Sequence, residues 1–112
     1  MMQDLINTLR DDQHTLVVLH DGRIRTFDGQ GVRRLYNIMN DEPELLYDAK
    51  LAAKAVGRSA AAMMVEGGVV EVYAGCISQQ AYDTLKEAGI KVSFGKKLDH
   101  PAFLEVWRKL GE

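Results

Sequence analysis

Apolar residues recur at intervals of three and four in the stretches 1–9 and 32–39, and this spacing predicts two amphipathic helices. Between them, the β-branched run 15–20 and the alternating run 23–27 predict two strands. The pair Asp21-Gly22 joins the two runs, and an Asp-Gly pair favours the tight turn of a β-hairpin. The first forty residues therefore predict a helix, a hairpin and a second helix.

The stretch from about Tyr47 to Val65 is rich in alanine and predicts one long helix with a face of small residues. On such a helix Lys54 and Arg58, four residues apart, share one face. Gly57 lies between them, where the absence of a side chain would let a neighbouring element or a ligand approach the backbone. The following Gly67-Gly68 pair predicts the end of the helix, because glycine adopts the left-handed conformation that closes helices.

Residues 69–74 predict a strand that is buried on both faces, and residues 90–94 predict another strand. Ser78 predicts the N-cap of the helix between them, whose buried positions are Ala81, Leu85 and Ala88. Gly89 closes that helix. A strand, a helix and a second strand in this order predict a right-handed parallel crossover.

Pro101 predicts the start of a last helix over residues 102–110, which buries Phe103, Leu104 and Trp107. Together the elements predict the α/β class, with a three-layer α/β/α arrangement. Its sheet would be mixed and four-stranded, with the hairpin beside the parallel crossover.

Composition narrows the function classes. The length of 112 residues suits a single domain, residues 1–112, and the net charge of -2 lacks the basic surplus of nucleic-acid-binding domains. A single cysteine excludes an internal disulfide and a Cys-rich zinc site. The sequence shows neither a signal-peptide pattern nor an apolar stretch of about 18 residues, the length that spans a membrane. We therefore expect a cytoplasmic protein without nucleic-acid or membrane partners.

The layout of a hairpin, a helix, and then strand, helix and strand resembles the cytidine-deaminase-like fold. This resemblance implies zinc between the N-termini of two central helices. The first helix would supply a His or Cys ligand and a Glu, and the second a Cys-x-x-Cys pair after the third strand. On the predicted elements these signatures fall at residues 48–50 or 52–54 and at 75–79. Lysine stands there in place of Glu, and Cys76 has no partner. We therefore expect no zinc and no other cofactor.

Three motifs are similar to those of a family of uncharacterised, mostly bacterial proteins of about this size. They are Lys54-x-x-Gly57-Arg58-x-Ala60-Ala61, Gly68-Val69-x-x-Val72-Tyr73-Ala74 and Ser78-x-x-Ala81-x-x-x-Leu85-x-x-x-Gly89-Ile90. The resemblance implies a deaminase-like fold without an assigned activity. Members often carry Cys-Pro near the C-terminus, where this chain has His100-Pro101.

The candidate ligand-binding residues are Lys54, Gly57, Arg58 and Ser78, at a cleft where the helices starting near Tyr47 and Ser78 begin. Two cations on one helix face suit a phosphate or carboxylate, although a solvated face would have the same pattern. Ser78 is also explained by capping alone. The sequence thus favours a domain that binds a small anionic or nucleotide-like metabolite.

Two alternatives stay open. Cys76 is a candidate catalytic nucleophile, because a helix N-terminus lowers the pKa of a nearby thiol, and with Lys54 and Arg58 it would make a zinc-independent hydrolase or transferase. A lone cysteine at a strand end is also typical of a small buried apolar residue.

The third interpretation is a structural domain that forms homo-oligomers, with Tyr36, Met39, Phe103 and Trp107 as candidate contacts. The three histidines follow no metal-binding motif.

Overall fold

The computed structural model describes residues 2–11 and 14–109. The elements, in chain order, are α1 (Met2–Asp11), β1 (Leu16–His20), β2 (Arg23–Phe27), α2 (Gly31–Asp41), a short 3₁₀ helix (Pro43–Leu45), β3 (Lys50–Val56), α3 (Arg58–Gly67), β4 (Glu71–Ser78), α4 (Gln79–Glu87), β5 (Lys91–Leu98) and α5 (His100–Lys109). The predicted outer limits of the first and last helices, Met1 and Leu110, lie outside the described residues. No helix within 2–11 and 14–109 is both long enough and apolar enough to cross a membrane.

The five strands form one mixed sheet in the order β2-β1-β3-β4-β5. β1 pairs antiparallel with β2 and with β3, whereas β3, β4 and β5 run parallel to one another. One face packs against α2, α3 and α4 in the main hydrophobic core. The other face packs against α1 and α5 in two smaller clusters. The three-layer α/β/α architecture is therefore confirmed.

Several local predictions are confirmed by the backbone. Asp21 and Gly22 form the hairpin turn, both with positive φ. Gly68 closes α3 with φ 86°, a value that residues with a side chain rarely adopt. At the start of α4, the backbone N–H of Ala81 donates to Ser78 Oγ at 3.1 Å, so Ser78 is the N-cap.

The long helix predicted from Tyr47 to Val65 is wrong. Its first half is the strand β3, and a helix begins only at Arg58, after Gly57. β3 lies between β1 and β4 and is covered on both faces, so Leu51, Ala52 and Ala53 are all buried. Such strands lack the alternation that marks half-exposed ones, and burial here overrides the helix propensity of alanine.

This correction has two consequences. The sheet has five strands rather than four, and Lys54 and Arg58 lie on different elements instead of sharing a helix face. Two burial predictions have different outcomes. Phe103 is buried as predicted, whereas Ala88, predicted to be buried, is exposed at the end of α4.

One row of the sheet departs from regular pairing. The pairing of β3 with β4 passes from Ala53↔Ala74 to Ala55↔Cys76 and so skips Lys54 opposite Gly75. The pairing of β4 with β5 skips Gly75 opposite Gly95 in the same way. We call these three residues the bulge row.

The bulge row reverses the alternation of side chains between the two faces of the sheet. Ala53 and Val56 both pack in the main core although they are three residues apart, and so do Ala74 and Ile77. In a regular strand, residues on one face are an even number apart. The register between the strands is the same on both sides of the row, so β3 and β4 share this irregularity, whereas an isolated β-bulge adds a residue to one strand alone.

Candidate functional site

A groove of about 840 Å³ lies between α2 and α3. Its lining residues come from the start of α2, the first two turns of α3 and the end of α5: Gln30, Val32, Arg33, Tyr36, Asn37, Ser59, Met63 and Trp107. We call it the α2–α3 groove. Among the described residues that line it there is no carboxylate, while Arg33 supplies a cation and Gln30, Asn37 and Ser59 supply hydrogen-bonding groups.

A smaller cleft of about 130 Å³, which we call the inner cleft, continues the groove beneath α5. It shares Val32, Ser59 and Trp107 with the groove and adds Arg58 and His100. The ring of Phe103 covers Gly57 so closely that a Cβ atom there would lie 2.9 Å from Phe103 Cε2. The last helix therefore roofs the cleft, and the absence of a side chain at Gly57 makes room for it.

Both helices that begin at the groove have an N-cap residue whose own side chain does not cap the helix. The N-cap residues are Gln30 for α2 and Gly57 for α3, and neither makes a capping hydrogen bond through a side chain. Neither first turn contains an acidic residue; they contain Arg33 and Arg58 instead. Cations at helix N-termini oppose the helix dipole, whereas an anion there is stabilised by it. This arrangement favours an anionic occupant.

The predicted site residues fall into three places. Gly57 and Arg58 line the inner cleft, as expected for a ligand site. Lys54 and Cys76 line a different pocket, on the sheet face covered by α1 and α5. Ser78 is 1 % exposed and lines none of these three cavities. The catalytic constellation of Lys54, Arg58 and Cys76 is thus divided between two cavities.

Cys76 lies within β4 and packs against Ala55 and Phe103. Burial raises the pKa of the Cys76 thiol, and the nearby ammonium of Lys96 only partly counteracts this rise. The thiol is therefore protonated at neutral pH, which disfavours a role as a nucleophile because the thiolate is the reactive form.

We expect Cys76 to react with iodoacetamide at least about tenfold more slowly at pH 7.5 than a free cysteine does, since the thiol is both protonated and 7 % exposed. The measurement is mass spectrometry of the alkylated protein over time, with the protein unfolded in urea as control. Alkylation of the folded and unfolded protein at equal rates would show a reactive thiol and restore the nucleophile hypothesis.

The fold also corrects where the zinc signatures would fall. The third strand is β3, so the helices that flank the deaminase-like cleft are α2 and α3, not α3 and α4. Their first turns contain Val32, Arg33, Arg58 and Ser59, without the His, Cys or Glu that the chemistry needs. Zinc does not fit these residues, since neutral or cationic side chains replace its ligands.

The histidines are far apart in the fold. His14 Nδ1 lies 2.7 Å from Asp28 Oδ1, His20 Nδ1 lies 3.1 Å from the backbone oxygen of Tyr47, and His100 lines the inner cleft. Within the described ranges, no three His, Cys, Asp or Glu side chains are grouped so that they could hold a metal ion.

Sequence reasoning missed several groove residues. The apolar spacing in residues 32–39 includes Tyr36, which predicts a buried position, but Tyr36 is 61 % exposed. Arg33 lies three residues before Tyr36 and four residues before Asn37, so all three side chains lie on neighbouring positions of one helix face. The polar residues Arg33 and Asn37 at this spacing were the sequence signal for an exposed face. Phe103, a candidate contact between copies of the chain, is buried within its own fold, and homo-oligomerisation stays a prediction.

Comparison with known proteins identifies a family but not an activity. The family model TM1506, described as a domain of unknown function (DUF1893), matches residues 4–100. The match therefore ends at the first residue of α5. No curated protein matches the chain.

Two solved structures from Thermotoga maritima have a similar fold. One is a DUF1893 family protein (TM1506), 18 % identical with a TM-score of 0.77, covering 87 % of this chain and 65 % of that one. The other is a diaminohydroxyphosphoribosylaminopyrimidine deaminase/5-amino-6-(5-phosphoribosylamino)uracil reductase, 19 % identical with a TM-score of 0.50, covering 85 % and 31 %. The chain thus spans less than two thirds of each protein's length. At these identities the likeness shows a deaminase-like fold alone.

Proposed function

Since this chain belongs to the DUF1893 family, whose function is unknown, we propose that it binds a small anionic, nucleotide-like metabolite in the α2–α3 groove. The observation that carries the proposal is the convergence on one groove of two helix starts whose N-cap side chains make no capping hydrogen bond. Each start has an arginine in its first turn, and no carboxylate of the described residues lines the groove or the inner cleft.

The charges at the groove have no anionic partner among the residues that the structure describes. No hydrogen bond or ion pair within residues 2–11 and 14–109 involves the guanidinium of Arg33 or that of Arg58. A phosphate between the helix starts would accept charge-assisted hydrogen bonds from both arginines and would lie at the positive ends of both helix dipoles.

The rest of the groove suits a flat heterocycle. Tyr36 is exposed and Trp107 is half-buried, so each offers an aromatic ring for stacking. Gln30 and Asn37 present amides that both donate and accept, as the edge of a nucleobase does. The name of the Thermotoga deaminase/reductase includes a phosphoribosyl group and a pyrimidine, the same combination of an anion and a ring.

Trp107 makes the test direct, because it is the only tryptophan in the chain and lines the groove. We expect a nucleoside monophosphate to change the fluorescence of Trp107 in a saturable way, and the matching nucleoside without phosphate to bind more weakly. In the double variant Arg33→Met, Arg58→Met, the Kd should rise by at least about tenfold, the effect of losing about 1.4 kcal/mol of binding free energy.

The matched control is Arg23→Met, which removes a cation from the exposed hairpin strand β2 outside the groove. It should leave the Kd unchanged, and all variants should melt near the parent temperature. If no nucleoside monophosphate changes the fluorescence at millimolar concentration, or if the double variant binds as the parent does, the proposal is wrong.

A further inference from the structure

A second pocket, of about 570 Å³, lies on the sheet face that packs against α1 and α5. It is distinct from the α2–α3 groove and shares no lining residue with it. Its lining residues are Leu9, Arg10, Lys54, Tyr73, Gly75, Cys76, Gly95 and Val106. We call it the Lys54 pocket.

The bulge row explains why the sheet leaves a hollow here. Two of its three residues are glycines, so Gly75 and Gly95 contribute no side chain to the space between α1 and α5. The strands approach so closely that a Cβ atom on Gly75 would lie 2.7 Å from the backbone oxygen of Lys54. A Cβ on Gly95 would lie 2.9 Å from that of Gly75. The floor of the pocket is therefore backbone, and Lys54 is the one residue of the row with a side chain.

Among the residues that the structure describes, the two charged side chains that line the pocket are both positive. Lys54 is half-buried, and no ion pair or hydrogen bond in the described part of the chain involves its ammonium. Arg10 supplies a second cation, which is held in place because its Nη2 donates to Tyr73 Oη at 2.9 Å. No Asp or Glu of the described ranges lines the pocket, and the Cys76 thiol, protonated at neutral pH, adds no negative charge.

We propose that the Lys54 pocket binds a small organic anion, with Lys54 and Arg10 contacting its carboxylate or phosphate group. An oxyanion would pair with the half-buried ammonium of Lys54, for which no residue in the described part of the chain provides a partner. The apolar side chains of Leu9 and Val106 and the ring of Tyr73 contact the body of the ligand. The backbone floor at Gly75 and Gly95 allows a flat or slender group to lie directly on the sheet.

The test is a titration of ¹⁵N-labelled protein with three probes, inorganic phosphate, benzoate and phenyl phosphate, followed by amide chemical shifts. We expect saturable shifts of the Gly75 and Gly95 amides with the organic probes, and stronger binding than with inorganic phosphate, which lacks an apolar body. Comparing benzoate with phenyl phosphate shows which oxyanion the pocket prefers. In Lys54→Met, which keeps the unbranched stem, binding at these amides should weaken by about tenfold or more.

The control is Lys91→Met, which removes an exposed lysine of β5 outside the pocket and should bind as the parent does. Absence of saturable shifts at Gly75 and Gly95 with all three probes would overturn the proposal. Equal binding by Lys54→Met, with its fold confirmed by the remaining amide shifts, would overturn it too. Shifts at the Ser59 amide report the α2–α3 groove separately, so either site can fail without the other.

Discussion

Replacing Gly75 by alanine is expected to destabilise the protein by about 3 kcal/mol, the upper end of the usual cost of overpacking a core. The added Cβ would lie 2.7 Å from the backbone oxygen of Lys54 on the neighbouring strand. Backbone in the middle of a sheet cannot move without breaking the pairing of β3 with β4. Thermal unfolding followed by circular dichroism should show the melting temperature lowered by about 12 °C.

Gly89→Ala provides the comparison for this result. Gly89 has φ 80° but nothing within 4 Å of an added Cβ, so alanine there should cost only the backbone strain of a left-handed residue, about 1 kcal/mol. If Gly75→Ala melts at or above the temperature of Gly89→Ala, the close approach of the strands at the bulge row is not what requires glycine.

Gly57→Leu should destabilise the protein by about 2–3 kcal/mol, because its side chain would occupy the space of the Phe103 ring. A Cβ at this position already lies 2.9 Å from Phe103 Cε2, and Phe103 is buried, so α5 would have to move away from the sheet. Unfolding in urea measures the loss of stability. Trp107, on the same helix, should also fluoresce at longer wavelength as it becomes more exposed to water.

Arg58→Ala is the matched control, since Arg58 is the next residue and is exposed. Removing its side chain should change the free energy of unfolding by less than about 0.5 kcal/mol, as for most surface substitutions. Equal stability of Gly57→Leu and Arg58→Ala would contradict the packing of α5 over Gly57.

The predicted fold is wrong at one segment, β3, because the helix propensities of its residues oppose the strand that they form in the structure. Lys50, Leu51, Ala52 and Ala53 all favour helices in isolation, so their propensities outweighed the cue that Gly57 interrupts the pattern. Hairpins, caps and glycine stops were predictable because neighbours in sequence determine them. The conformation of β3 is determined instead by β1 and β4, residues distant in the chain.

The strand conformation of β3 also determines which candidate residues lie close together. Lys54 was expected beside Arg58, but a strand between two helix layers directs Lys54 towards α1 and α5. In the structure Lys54 lines a pocket together with Arg10, although the hairpin and α2 separate the two residues in sequence, so no sequence spacing could indicate their proximity. Gly57 and Arg58 line the inner cleft because they lie at the junction of β3 and α3, where α3 begins.

The two outer strands of the sheet also affect how copies of the chain meet. An outer strand has unpaired backbone groups that can extend a sheet from one molecule into the next. β2 carries two arginines and β5 carries three lysines, without an acidic residue on either. One of the arginines, Arg25, pairs with Glu42, and Lys97 Nζ lies 4.3 Å from the centre of the Tyr82 ring, but both outer strands carry a positive charge. Repulsion between like charges therefore disfavours the pairing of two copies of the chain edge to edge.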